Sequence, residues 1–405
     1  MKAYERFITY VKTHTASSES SESVPSSDCQ LTLCHMLADE MRSIGLEGVY
    51  EDEHAYVYGF IPASEGCEDK PCIAFIAHLD TVPDFPGENV RPQLIENYDG
   101  GDVVLGTSGR SLTAEKFPHL ATLKGQTLIT TDGTTVLGAD DKAGIAAIMT
   151  AAERIIAEKL PHGRIAVCFT PDEEIGHGAA LLDLERLGAD FAYTVDGEEL
   201  NEINYETFNA ASAKWDINGF NIHPGSAKNM MINASLVAME INSMLPSGDT
   251  PAHTEGYEGF FHLTDMSGTV EKAMLSYIIR DHNAAAFEQR IKTMEHIESL
   301  INEKYGEGTA RLTVHQQYRN MRERISEHME IVELAERALR REGMEPVTAP
   351  VRGGTDGAQL TFRGLLCPNL GTGGYSFHGP YEHITAEHLE TSARIVMNIV
   401  DENLK

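Results

Sequence analysis

The chain has 405 residues, room for two compact domains, and its 41% apolar and 23% charged residues exclude disordered, fibrous and membrane-embedded classes. Acidic residues outnumber basic ones by 62 to 32, a formal charge of −30, and no Lys/Arg cluster could cover a phosphate backbone, which argues against nucleic acid and anionic membrane as partners. Six cysteines without a CxxC pair, a charged N-terminal stretch with no apolar h-region, and the lack of about 18 consecutive apolar residues together predict a reduced, cytoplasmic protein.

The serine-rich stretch SSESSESVPSS, ending at Ser27, reads as a polar loop. Four short apolar runs follow, Ile73 to Ala77, Thr127 to Thr131, Arg164 to Thr170 and Phe191 to Val195. Runs this apolar predict strands covered on both faces, as in an α/β sheet. Between the second and third lies a helix in which Ile145, Ile148, Ile155 and Ile156 recur at helical spacing, so the segment reads as a strand-helix-strand unit. From about Asn209 to Tyr318 the rhythm changes to strand, helix, two strands, helix, strand, the ferredoxin-like βαββαβ order. The chain then returns to α/β style, with a helix from Met329, a Gly-rich turn RGGTDGA, a short strand near Leu365 and a final helix from about Ala386. The expected architecture is an α/β catalytic domain with a central sheet flanked by helices, formed by residues 1–208 and 321–405. An α+β ferredoxin-like domain of residues 209–320 is inserted into it.

The chemistry is positional. His78-Leu79-Asp80 follows the first run, Asp172-Glu173-Glu174 follows the third after Pro171, and Asp196-Gly197 follows the fourth. Ligand sites in open α/β sheets lie outside the carboxyl ends of the strands. Asp140-Asp141 adds a fourth acidic cluster just ahead of the helix beginning near Ala143. Each cluster alone suits a helix cap or a solvated turn. Together, carboxylates crowded at one sheet edge raise one another's pKa unless a cation sits among them. Histidine, aspartate and glutamate without thiolates suit zinc, manganese or cobalt, and the number of carboxylates suggests two ions, hence a dimetal hydrolase.

The motifs AHLDTVP (Ala77–Pro83), GADDKAG (Gly138–Gly144), TPDEEIG (Thr170–Gly176), TVDG (Thr194–Gly197), HPGSAK (His223–Lys228) and GGTDGA (Gly353–Ala358) resemble the co-catalytic zinc peptidases related to carboxypeptidase G and succinyl-diaminopimelate desuccinylase. PDFPGENV, TEGYEGFFHL and IRDH extend the likeness from end to end toward that family's tripeptide aminopeptidases. The resemblance implies two zinc ions bridged by Asp140, one completed by His78 and Asp196, the other by Glu174 and His378. Manganese or cobalt are possible substitutes. It implies that Glu173 is the general base for attack by a metal-activated hydroxide, that Asp80 orients His78, and that His223, in an insert acting as a lid, stabilises the oxyanion.

The residues alone leave His378 and His383 both open as ligands. The family pattern, a ligand histidine followed four residues later by glutamate, selects His378 with Glu382 and leaves His383 on the surface; His177 gains no role. Arg280 and Arg352 are candidates for gripping a peptide carboxylate, which a guanidinium matches bidentately, although structural salt bridges suit them too. Short peptides are the expected substrates, and strand edges of the insert could pair two copies into a homodimer. The alternatives are a related dimetal dipeptidase or N-acyl-amino-acid amidohydrolase, and a metal-free binding protein, which predicts a missing ligand or base.

Overall fold

The structure, a computed structural model, describes residues 1–405. It divides into two compact units, one of residues 1–205, 323–349 and 355–405, the other of residues 206–322 with the short return Pro350–Gly354. No composition shift marks that return.

The first unit is built on a seven-stranded mixed sheet in the order Glu47–Glu51, Val57–Ile61, Ile165–Thr170, Ile73–His78, Phe191–Val195, Asn369–Leu370, Ile203–Asn204. Strands Ile165–Thr170, Ile73–His78 and Phe191–Val195 are buried at every position, as expected of strands with helices on both faces. These three and Asn369–Leu370 run parallel, so their carboxyl ends open on one edge of the sheet. The edge pairs on either side are antiparallel.

Helix Ala139–Glu158 is buried at nearly every position up to Ala152, because it lies against the sheet while helices Ala3–Tyr10 and Ala386–Glu402 cover its other side. Gly144 lets it approach: a Cβ there would fall 1.9 Å from the Val195 carbonyl oxygen.

Two expectations change. Leu128–Thr130 is a strand, but of a separate three-stranded sheet with Gln93–Ile95 and His383–Thr385, so the segment around helix Ala139–Glu158 is not a strand-helix-strand unit of one sheet. A short buried run does not reveal which sheet covers it. The strand expected near Leu365 forms at Asn369–Leu370, because helix Asp356–Phe362 occupies the preceding turns and Gly364, at φ 104°, closes it.

The second unit is a four-stranded antiparallel sheet in the order Phe260–Gly268, Lys272–Asp281, Asn209–Asn218, Ala310–Tyr318, with helices Ala234–Met244 and Ala284–Tyr305 in the connections. In strand Lys272–Asp281 buried residues alternate with less buried ones, the period-2 pattern of a sheet packed on one side. Trp215, Leu275, Ile241 and Met294 form its core. Asn233 and Asn283 cap the two helices with their side-chain oxygens. No helix of the chain is long and apolar enough to cross a membrane, and all six cysteines are free.

Candidate metal centre

Every acidic motif singled out in the first unit, with His78 and His378, gathers at the carboxyl edge of the parallel strands. His78 is the last residue of its strand and is buried. Its Nε2 lies 2.9 Å from Asp140 Oδ1 and 3.8 Å from Asp196 Oδ1. Its Nδ1 lies 3.1 Å from the Asp80 carbonyl oxygen and 3.3 Å from Asp80 Oδ1. Half-exposed His378, in the left-handed region at φ 64°, places Nε2 3.2 Å from Asp140 Oδ2 and 3.1 Å from Glu174 Oε2. The two oxygens of Asp140 therefore face two different imidazoles.

The electrostatics follow from that crowding. Burial lowers the His78 pKa, but hydrogen bonds to Asp140 and Asp80 and the charge of Asp196 raise it well above the ordinary value. Burial works to raise the Asp140 carboxyl, yet His378 and His78 hold it below the usual carboxylate range. Burial and the charge of Asp196 push Glu173 well up. Burial and Asp140 push Glu174 up to about 6. Asp196 is likewise raised well above the ordinary range, by burial with Asp140 and Glu174 beside it. A cation among these carboxylates would offset their mutual repulsion.

The donors fit one. Ligand atoms of His78, Asp140 and Glu174 lie within 4.8 Å of one another, as do those of His78, Asp141 and Asp196. The set is imidazole and carboxylate without thiolate, suited to a hydrolytic dimetal centre. Asp141 has structural partners as well: its oxygens accept the Gly144 N–H at 3.0 Å and the His78 N–H at 3.3 Å, tying the helix start to the strand end.

The surrounding backbone is held by carboxylate contacts that go beyond the role expected of Asp80 and that were not expected of Glu382 and Asp172. Fully buried Asp80 accepts the N–H groups of Glu173 at 3.0 Å and Glu174 at 3.2 Å, so it connects the His78 ring to both residues. Glu382 accepts the N–H groups of Leu137, Gly138 and Asp140 at 2.6, 2.8 and 3.0 Å and so braces the turn that presents Asp140. Asp172, at φ 54°, turns away from its two acidic neighbours and accepts from Ser26 N at 2.7 Å, Ser26 Oγ at 2.5 Å and Gln30 Nε2 at 2.6 Å. The serine-rich stretch is thus more than a solvated loop.

His383 is not on the surface. It is fully buried, with Nε2 2.8 Å from His119 Nε2 and Nδ1 2.7 Å from the Tyr381 carbonyl oxygen, and it stacks on Tyr375 at 5.4 Å between centroids. As the first residue of strand His383–Thr385 it is carried into the small sheet, away from solvent. His177 is exposed.

The remaining candidates lie in the second unit. His223 is exposed at the start of the turn Pro224–Ser226, and its Nδ1 accepts the Gly225 N–H at 3.1 Å, which puts the ring proton on Nε2. Arg280 donates from Nη1 to the carbonyl oxygens of Ala211 at 3.2 Å and Ile279 at 3.0 Å. Arg352 donates to the carbonyl oxygens of Gly256, Glu258 and Thr254 at 2.7, 2.9 and 3.3 Å and lies over Phe208 and Phe260. Its guanidinium holds the 254–258 loop.

The profile of peptidase family M20/M25/M40 matches residues 136–402. The chain is 50% identical over 402 residues to Peptidase T of Halothermothrix orenii, covering 99% of this chain and 98% of that one. It is 52% identical over 400 residues to Peptidase T of Clostridium perfringens, with 98% of each covered. Among solved structures it superposes on aminopeptidase PepT from Bacillus cereus with a TM-score of 0.79 at 23% identity, over 100% of this chain and 98% of that one. A dinuclear metal-binding peptidase of the M20 family from Bacillus subtilis shares the fold at a TM-score of 0.66 and 16% identity, over 98% and 97% of the two chains.

Proposed function

The chain belongs to peptidase family M20/M25/M40, and from that premise we propose that it is a tripeptide aminopeptidase whose dimetal centre holds two zinc ions. Identity of about half the residues to Peptidase T over nearly the whole chain supports the enzyme class. The observation that carries the site is Asp140, whose two oxygens face His78 and His378 separately.

His78 and Asp196 would hold one ion, Glu174 and His378 the other, with Asp140 shared between them. Two ions there supply Lewis acidity, lowering the pKa of water toward about 7 and polarising the scissile carbonyl. Glu173 takes the proton of the attacking water and returns it to the leaving amine, from a backbone position that Asp80 holds beside the ligands. Asp80 holds the Nδ1 side of His78 and the backbone of Glu173 together, so base and ligand keep a fixed relation. His223, with its proton on Nε2, has the donor that a tetrahedral oxyanion would need. Arg280, whose Nη1 donates to the Ala211 and Ile279 carbonyl oxygens, remains the candidate guanidinium for a peptide carboxylate. Arg352, committed to three backbone carbonyls, supports the loop instead.

The free cysteines accord with a reducing cytoplasm. The edge strands Phe260–Gly268 and Ala310–Tyr318 offer backbone for pairing with a second copy as a homodimer. The test of the activity is metal analysis with hydrolysis of a free tripeptide beside its N-acetylated form. Two zinc ions per chain and release of the first residue of the free peptide alone are expected; preference for the blocked peptide overturns the reading.

A further inference from the structure

Glu173 and Glu174 sit on the loop Pro171–Gly178, between the end of strand Ile165–Thr170 and Ala179. Asp356, from the GGTDGA turn, reaches both ends of that loop. Its Oδ2 accepts the Thr170 hydroxyl at 2.8 Å, and its Oδ1 is buried without a hydrogen-bond partner beside the backbone of Gly178. A Cβ on Gly178 would fall 2.3 Å from Asp356 Oδ2 and 2.4 Å from Oδ1, so the carboxyl occupies the space that a side chain at 178 would need. Asp356 is 2% exposed.

The rest of the same helix face grips the exit limb. Gln359 Nε2 donates to the Gly176 carbonyl oxygen at 3.0 Å; Arg363, at the helix end, donates from Nη1 to that of Ala179 and from Nη2 to that of Leu182 at 2.7 Å. Residues three and four apart share one side of a helix, so Asp356, Gln359 and Arg363 form a single polar stripe against residues 176–182. On the far side, Tyr56 donates to the Gly178 carbonyl oxygen at 2.8 Å.

We propose that helix Asp356–Phe362 is a splint for this loop and that Asp356 is a positioning residue that sets where the Glu173 carboxylate stands, by bonding Thr170 at the entry of the loop while packing against Gly178 at its exit. Asp80 fixes the backbone at Glu173 itself, and Asp356 fixes the span on which that point rides. Proton transfer tolerates little error, since a displacement of about 1 Å costs on the order of 100-fold in rate. The inference rests on Glu173 acting as the base.

The experiment uses the metal-loaded full chain and a free tripeptide, with kcat, KM, metal content and thermal unfolding measured for Asp356→Ala, Asp356→Asn, Thr170→Val and Glu173→Gln. In Asp356→Ala, kcat should fall about 100-fold with KM within about 3-fold of native and two ions retained. Asp356→Asn, which keeps an acceptor for Thr170, should recover to within about 10-fold of native, whereas a purely structural role would lower the unfolding temperature without this kcat-against-KM split. Asp356→Ala at native kcat beside an inactive Glu173→Gln overturns the splint. Loss of ions in step with activity, or an Asn variant no better than Ala, overturns it also. Should Asp356→Ala fail to fold, Thr170→Val decides: a kcat reduced with KM unchanged supports the tie, and native kcat refutes it. Native turnover by Glu173→Gln shows instead that the base assignment has failed, and removes the inference with it.

Discussion

Two histidine clusters stand in the first unit, and their surroundings shift their pKa values in opposite directions. His78 and His378 face carboxylates and are raised, His378 to about 11. His119, His383 and His388 face rings and carbonyl groups, and burial lowers all three, His383 to about 4. The first cluster binds charge; the second packs. Residue type says nothing of the difference, and the partners decide it: Asp80, Asp140, Asp196 and Glu174 on one side, Tyr375, Tyr381 and Gly373 on the other.

Substitutions can break this contrast. The largest effect is expected from Asp140→Ala, which leaves His78 and His378 without their shared partner; metal analysis should find both ions lost and peptide hydrolysis at background. Glu173→Gln should keep both ions and lose about 100- to 10,000-fold in kcat, the range of general acid–base catalysis, as steady-state kinetics would show. Asp80→Asn should cost about 10- to 100-fold in metal affinity or activity, read by chelator competition, since it weakens the hold on His78 without removing a ligand.

The smallest effect on chemistry belongs to the packed cluster. His383→Phe should retain two ions and leave kcat within about 3-fold of native, while losing about 1–3 kcal/mol of stability as the His119 donor loses its acceptor. The pH dependence sharpens the contrast. The lowered His383 pKa makes the unfolded chain bind more protons between pH 6.5 and about 4, so its contribution to stability is lost as pH falls through that window. The raised His378 pKa contributes to the metal-free protein below pH 6.5, and that part is lost as pH rises through about 11. Denaturant unfolding of metal-free native and His383→Phe chains across pH should show the acid slope flattened in the variant alone.

Much of the centre was legible because it depends on order along the chain. An acid or histidine directly after an apolar run must sit at a strand's carboxyl end, and His78, Glu173, Glu174 and Asp196 do. The βαββαβ rhythm was legible for the same reason. What escaped has no local signature. Ser26 and Gln30 hold Asp172 across more than 140 residues, and Asp356 reaches Thr170 across 186. His383 was misplaced because its burial comes from pairing with Leu128–Thr130 in a small sheet that the apolar runs did not announce.

Glu382 and His378 come after the whole second unit in chain order, yet Glu382 braces the turn at Leu137 to Asp140 and His378 completes the contacts of Asp140. A chain growing from its N-terminus therefore carries His78, Asp140, Glu173, Glu174 and Asp196 long before they can act together. A truncated or half-made product should be inert toward short peptides, and hydrolytic capacity arrives only once synthesis has passed both units.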